Sequence, residues 1–178
     1  MMSGRPDPAK SEGPLVWRGL APKVDVNDVF LILGSFPGHR SLQVQAYYGH
    51  PQNQFWRLLG AVFDLPLASA GYAARLTLLR RAGIGLWDVI TETERDGSLD
   101  SAIRNPRASD LHGLLDTLPA LRVIGFNGGT AARLGRRELG SRVSSYRVVD
   151  LPSSSAAYTL AFEAKLACWR SLREPQET

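Results

Sequence analysis

The chain has 178 residues, 44% of them hydrophobic, so it can form one domain with a substantial core but is too short to argue for two. Its 21 lysines and arginines outnumber its 17 acidic residues and give a net charge of +4. Nearly all the basic residues are arginines, whose forked guanidinium group suits phosphate, so the composition is compatible with an anionic partner. The single cysteine, Cys168, excludes a disulfide framework, a Cys₄ zinc site and a cysteine-held iron–sulfur cluster within one chain.

The sequence also disfavours metal, cofactor and membrane proteins. The three histidines lack the HExxH type of spacing, so we expect no metal, and we expect no cofactor. There is no signal peptide and no apolar stretch near membrane-spanning length, so we expect a cytoplasmic protein without membrane association. Residues 1–14 are polar, with several prolines and glycines, and predict a disordered leader before a single domain at residues 15–174.

Short apolar runs alternate with helical patterns along the domain. The runs predict strands at residues 29–33, 84–90, 121–126 and 145–151. The helical patterns lie at residues 52–63, 68–81, 110–118, 130–134 and 159–172. This alternation predicts an α/β fold, a three-layer sandwich with a central four-stranded parallel sheet flanked by helices. Residues 91–106 are expected to be irregular, apart from a short helical turn near residues 98–103.

Two loops are predicted to meet at the carboxyl edge of this sheet, where open α/β sheets bind ligands. One is the Gly/Pro loop at residues 34–38, and the other is the serine-rich loop at residues 152–155. Together they supply small residues, hydroxyls and backbone amides, with little acid or base. Such a site suits a phosphate chain, and it resembles a nucleic-acid groove more than a metabolite pocket.

Aromatic residues near the first loop offer flat surfaces on which a base could stack: Phe36, Tyr47 and Tyr48. The alternative for each of them is ordinary core packing. Two adjacent tyrosines cannot both point inward from an extended segment, so at least one is expected to face the cleft. A second ambiguous feature is the turn at residues 125–129, which either presents amides to a phosphate or is simply a tight turn.

Three segments resemble the paired motifs of the uracil-DNA glycosylase superfamily: Gly34-Ser-Phe-Pro-Gly38, Tyr48-Gly-His-Pro-Gln-Asn53-Gln-Phe-Trp56 and Leu151-Pro-Ser-Ser-Ser155. The pattern Gly-Ser-x-Pro-Gly followed by Asn-x-Phe-Trp is most similar to the hypoxanthine-DNA glycosylase branch, family six. Trp87-Asp88-Val89 and Gly97-Ser-Leu-Asp-Ser-Ala-Ile103 also resemble that branch. The similarity extends over almost the whole globular part of the chain.

The resemblance implies an enzyme that flips a damaged base out of DNA into a pocket at the carboxyl edge of the sheet. Relatives that remove uracil carry Asp or Asn, which positions a water, at the place of Phe36. In the hypoxanthine branch the Asn before Phe-Trp is thought to take over, which makes Asn53 the catalytic candidate. The alternative is that Asn53 is only a helix cap.

The same resemblance implies roles for other residues. Tyr48 would stack on the flipped base, and Ser35 and Phe36 would line the base pocket through backbone groups. The DNA contacts would come from two loops, through Gly38, Ser41, Ser153, Ser154 and Ser155. His50 is left out, because a histidine here is more often a structural donor.

One departure concerns the bulky residue that fills the gap left by the flipped base in many relatives. Ser155 is small, so Tyr158 or an arginine would have to substitute for it.

The resulting hypothesis is a monofunctional glycosylase of base excision repair that acts on DNA containing a deaminated base and leaves an abasic site. Hypoxanthine is placed first, uracil second and xanthine third, and a monomer that reaches the nucleoid through DNA is expected. The lysines lie outside the motifs, so no lyase step is expected. Three alternatives stay open: a mismatch-specific uracil or thymine glycosylase, a catalytically silent DNA-binding member of the fold, and a small-nucleotide hydrolase that uses the turn at residues 125–129.

Overall fold

The computed structural model describes residues 15–175, so the leader predicted at residues 1–14 lies outside the described residues. Seven strands are present: β1 (Val16–Arg18), β2 (Phe30–Gly34), β3 (Ile84–Asp88), β4 (Ile90–Arg95), β5 (Ile103–Ala108), β6 (Val123–Asn127) and β7 (Arg147–Leu151). The helices are α1 (His39–Val44), α2 (Phe55–Phe63), α3 (Tyr72–Ala82), α4 (Leu111–Asp116), α5 (Gly129–Leu139) and α6 (Phe162–Trp169).

The predicted four-stranded parallel sheet is confirmed, with strand order β3-β2-β6-β7. Its central strand β2 is buried because helices cover both faces of the sheet. Ile32 points into one layer with residues of α2, α3 and α6, whereas Leu31 and Leu33 point into the other with residues of α4 and α5. Because successive side chains of a strand point to opposite faces, the apolar residues of β2 contribute to two separate cores. The sheet and the helices on its two faces form the three-layer sandwich.

Helix boundaries follow local signals where the sequence supplies them. Gly83 ends α3 in the left-handed conformation at φ 70°, which glycine adopts without steric cost. Asp110 caps α4, where its Oδ1 accepts the Gly113 N–H over 2.9 Å. The six-residue helix α1 was not predicted, because its N-cap Gly38 provides no side-chain bond and leaves no capping signature.

The prediction that residues 91–106 are irregular is wrong. Strands β4 and β5 pair there as an antiparallel hairpin, and β1 adds to the other side of β4, giving the order β1-β4-β5. The signal was hidden because the β4–β5 pairing contains register shifts, and because β5 is largely exposed and contains Pro106. The predicted helical turn is confirmed as a 3₁₀ turn at Asp100–Ala102.

None of the helices in the described part of the chain is long and apolar enough to cross a membrane.

Candidate active site

A cavity of about 540 Å³ opens at the carboxyl edge of the parallel sheet. Its lining comes from the loop after β2, the segment before α2, the ends of β3 and β6, the 3₁₀ turn and the loop after β7. The structure brings together in this lining all nine residues that the sequence nominates: Ser35, Phe36, Gly38, Ser41, Tyr48, Asn53, Ser153, Ser154 and Ser155. The volume is within the usual range of small-molecule sites.

Strand β2 ends at Gly34, where the neighbouring side chains approach too closely for any residue but glycine. A Cβ on Gly34 would lie 2.5 Å from Oδ1 of Asp88 and 3.0 Å from the hydroxyl of Tyr48. The side chain of Ser35 is also committed, because its Oγ donates to Oδ1 of Asp100 over 2.5 Å. The loop is therefore tied to both neighbouring walls of the cavity.

Phe36 contributes its ring to the core rather than to the open cavity. The ring is buried and lies beneath the guanidinium group of Arg95, 4.8 Å from its centroid. Arg95 is itself buried, and it donates to the backbone carbonyl of Pro37. Its Nε and Nη1 atoms have no hydrogen-bond partner among residues 15–175. The buried guanidinium group of Arg95 thus supports the Gly/Pro loop from the core side.

Tyr48 is the half-buried member of the tyrosine pair, whereas Tyr47 is buried in the core and its hydroxyl donates to the Ala21 carbonyl over 2.8 Å. The ring of Tyr48 stacks on Phe55 with centroids 3.7 Å apart. Its backbone has φ 52°, a strained value for a residue with a side chain. Burial, together with the charge of Asp88, raises the pKa of its hydroxyl, which therefore stays protonated as a donor. Both tyrosines contribute to the cavity lining, which agrees with the expectation that at least one of them faces the cleft.

Asn53 stands two residues before α2. Its Oδ1 accepts the Phe55 N–H over 2.9 Å, which is an Asx turn that satisfies the first free N–H of α2. The N-cap position itself is Gln54, which forms no side-chain cap bond. The Nδ2 group forms no hydrogen bond to the described residues. Beside it, Nδ1 of His50 accepts the Gln52 N–H over 3.1 Å, which is a structural role. The catalytic role of Asn53 stays a prediction.

Two carboxylates missed as site residues by sequence reasoning lie at this cavity, Asp88 and Asp100. Asp88 is buried, and its Oδ2 has no partner among the described residues. Burial is the main cause that raises the pKa of Asp88 to about 7; the charge of Asp100 acts in the same direction and Arg95 opposes it. Its place in the sequence could have indicated this role, because Asp88 is the last residue of a buried parallel strand and ligands bind at the carboxyl ends of such strands.

The serine-rich loop after β7 is held by three elements. Ser154 is only 1% exposed and exchanges two hydrogen bonds with Asn127 at the end of β6. The Ser154 carbonyl accepts the Gln54 N–H over 2.9 Å, and the Ser155 carbonyl accepts Nζ of the buried Lys165 over 3.0 Å. The hydroxyl of Ser154 therefore faces the protein, while Ser153 and Ser155 are less buried.

The remaining candidate features have local partners. Ser41 is buried and its Oγ accepts the Gly49 N–H over 3.0 Å, so its hydroxyl organises the segment before α2. In the turn at residues 125–129, Gly128 has φ 99° and its N–H donates to the Leu151 carbonyl over 2.9 Å. This bond favours the tight-turn interpretation over a phosphate site.

The fold and this cavity define an α/β protein with a ligand cleft at its sheet edge, and comparisons with known proteins give the family. The model of the uracil DNA glycosylase superfamily matches residues 21–173. A hypoxanthine DNA glycosylase of Methanosarcina barkeri is 38% identical over 152 residues, which cover 85% of this chain and 94% of the relative. A second one, of Methanosarcina acetivorans, is 41% identical over 143 residues, covering 80% and 89%.

A solution NMR structure gives the same result for the fold. It is of a Methanosarcina acetivorans protein, provisionally described as a uracil DNA glycosylase, with a TM-score of 0.79 and 37% identity. The match covers 89% of this chain and 96% of that one. This chain belongs to the uracil DNA glycosylase superfamily.

Proposed function

We propose that this protein is a monofunctional DNA glycosylase of base excision repair, which removes a deaminated base, hypoxanthine first, and leaves an abasic site. The observation that carries the proposal is the convergence of Tyr48, Asn53 and Asp88 on one cavity, in a chain 38–41% identical to two hypoxanthine DNA glycosylases. Its substrate is DNA, its place of action the cytoplasm, and its working form a monomer.

The reaction exchanges one bond for another at C1′ of the sugar. The oxygen of a water forms a bond to C1′ while the bond from C1′ to the base nitrogen breaks, and the electron pair leaves with the base. The water releases a proton, and the base takes one up. Deamination makes the base a better leaving group because the negative charge spreads over its oxygen and nitrogens, so oriented donors suffice.

Within this scheme Asn53 is the catalytic residue. Because its Oδ1 is held by the Phe55 N–H, its Nδ2 donors have a fixed direction toward the water or the departing base.

Tyr48 and Asp88 form the base pocket. Tyr48 stacks on the flipped base, supported on its own far side by Phe55. Asp88, with a pKa of about 7, is present in both protonation states at neutral pH. The protonated carboxyl both donates and accepts, which matches the adjacent C=O and N–H of a deaminated base. Hypoxanthine, uracil and xanthine all present this pair of groups, so the order among them rests on the relatives.

The test is cleavage of labelled oligonucleotides that carry one deoxyinosine, uracil or xanthine, in EDTA, followed by alkali at the abasic sites. Two variants separate catalysis from capping. Asn53→Ala removes both the oxygen that accepts the Phe55 N–H and the donors, whereas Asn53→Asp keeps that oxygen and replaces the donors with a carboxylate oxygen. We expect both variants to lose about 100-fold or more in the single-turnover rate, while only Asn53→Ala loses about 1 kcal/mol of unfolding free energy.

Three outcomes would change the proposal. Activity retained in Asn53→Asp would return Asn53 to the role of a cap. Robust cleavage of uracil opposite guanine with none of deoxyinosine would favour the mismatch-specific enzyme. Tight binding with no cleavage of any base would favour a silent DNA-binding protein, an alternative motivated by Phe36, which is buried where uracil-removing relatives position a water.

A further inference from the structure

The loop between β4 and the 3₁₀ turn is fixed on both sides of Leu99. On one side, Oγ of Ser98 accepts the His39 N–H over 3.0 Å. On the other side, Oδ1 of Asp100 accepts the Ser35 hydroxyl over 2.5 Å. The carbonyl of Leu99 itself accepts the Ala102 N–H over 3.0 Å. The backbone at Leu99 is therefore anchored to the same loop that forms the cavity.

The side chain of Leu99 is nonetheless 56% exposed, and Leu99 is part of the cavity lining. Single exposed leucines are common on protein surfaces and need no explanation by themselves. Leu99 differs because its backbone is held by these hydrogen bonds and because it lines the cavity that would receive a flipped base.

A flipped base leaves a gap in the duplex, and proteins that open DNA commonly fill such a gap with an apolar side chain. The serine-rich loop follows β7, which is the edge strand of the parallel sheet opposite β3, and it has small residues at Ser155, Ala156 and Ala157. Tyr158 follows them and is 49% exposed, but its ring lies 5.5 Å from Nζ of the buried Lys165, a contact that insertion into the duplex would break. Leu99 is thus the aliphatic side chain of the cavity lining with the length and freedom to enter the duplex.

We propose that Leu99 enters the duplex and occupies the gap left by the flipped base. It would do so from the side of the cavity opposite the serine-rich loop, and this inference rests on the proposed function. Arg40 supports the placement, because it lines the same cavity, is exposed, and forms no ion pair within residues 15–175. It can contact a phosphate next to the inserted leucine.

The experiment uses the full-length protein and a duplex with one deoxyinosine opposite dC and 2-aminopurine as its neighbour. The fluorescence of 2-aminopurine rises when the base step unstacks, so it reports insertion without depending on cleavage. A second duplex carries a pyrene nucleotide opposite the deoxyinosine, which fills the gap in place of a side chain. Leu99→Ala and Leu99→Met are compared with the matched control Val26→Ala, which is also 56% exposed but lies before β2, at the opposite edge of the sheet.

We expect Leu99→Ala to slow single-turnover cleavage of the ordinary duplex by about 10- to 100-fold and to abolish the fluorescence rise. Pyrene should restore its rate to within about threefold of wild type, because the gap is then already filled. Leu99→Met and Val26→Ala should behave like wild type. The melting temperature of Leu99→Ala should change by less than about 2 °C, because the side chain is largely exposed.

Either an unchanged rate and fluorescence in Leu99→Ala, or a loss that pyrene does not restore, would overturn the inference. If Tyr158→Ala shows the expected pattern instead, Tyr158 is the inserted residue and the assignment to Leu99 is wrong. A wild-type protein that unstacks the step through Leu99 without cleaving any base would overturn the proposed function and leave this inference standing.

Discussion

Asn127 and Ser154 hold each other by two hydrogen bonds, one in each direction. Nδ2 of Asn127 donates to Oγ of Ser154 over 2.9 Å, and the Ser154 N–H donates to Oδ1 of Asn127 over 2.9 Å. Both residues are buried. The last residue of one parallel strand thus fixes the loop that follows its neighbour, and an amide on β6 determines where the serines after β7 stand.

Ser154→Ala is expected to lower the free energy of unfolding by about 1–3 kcal/mol, because it leaves the buried Nδ2 of Asn127 without an acceptor. Urea denaturation measures the change. Ser144→Ala is the matched control, since that serine is exposed and bonds only the nearby Ser141 carbonyl. Unchanged stability together with weaker DNA binding would instead support the contact with DNA that the sequence predicts for Ser154.

Gly34→Ala should impair both folding and cleavage. The added Cβ would lie 2.5 Å from Asp88 and 3.0 Å from Tyr48, so one of these buried groups must move. We expect a loss of about 1–3 kcal/mol in unfolding free energy, and a reduced single-turnover rate. Gly129→Ala, where a Cβ meets nothing within 4 Å at the first residue of α5, is the control and should remain close to wild type. A fully active and stable Gly34→Ala would contradict this prediction, because it would show that the site can accommodate a Cβ.

Asp88 should make stability depend on pH. Its pKa is raised from 3.8 to about 7 in the folded protein, so between these values the folded state binds more protons than the unfolded state. The contribution of Asp88 to the free energy of unfolding is therefore fully present below pH 3.8 and is lost as the pH rises to about 7. Asp88→Asn removes the titration, so its stability relative to wild type should improve by up to about 4 kcal/mol from pH 4 to pH 8. Denaturant titrations at both pH values measure this, and a constant difference would contradict it.

Arg95 should restrain the pKa of Asp88, because its guanidinium charge opposes the effect of burial. Arg95→Met is expected to move the pKa of Asp88 above about 7, measured by ¹³C NMR of the Asp88 carboxyl carbon. Arg104→Met removes an exposed arginine of the same hairpin and serves as the control. A pKa that falls or stays constant in Arg95→Met would mean that Arg95 supports the Pro37 loop only mechanically.

The four parallel strands were predictable because each contains a short apolar run, and the inner strands β2 and β6 are covered on both faces. The hairpin β4–β5 was not, because its register shifts and exposed polar side chains leave neither a run nor a clean alternation. The motif residues of the site could be named from local patterns. Asp88, Arg95, Asp100 and Asn127 could not, because they come from four separate elements and only the folded chain brings them to one cleft.

The cleft lies at the seam between two sheets. Its floor includes Asp88, the last residue of a strand in the parallel sheet, whereas its wall includes Leu99 and Asp100, carried by the β4–β5 hairpin of the antiparallel sheet. A change in the length or sequence of that hairpin would reshape the wall without altering a single strand pairing of the parallel sheet. Changes in the hairpin can therefore alter which damaged bases the cleft accepts, while the core around the parallel sheet stays the same.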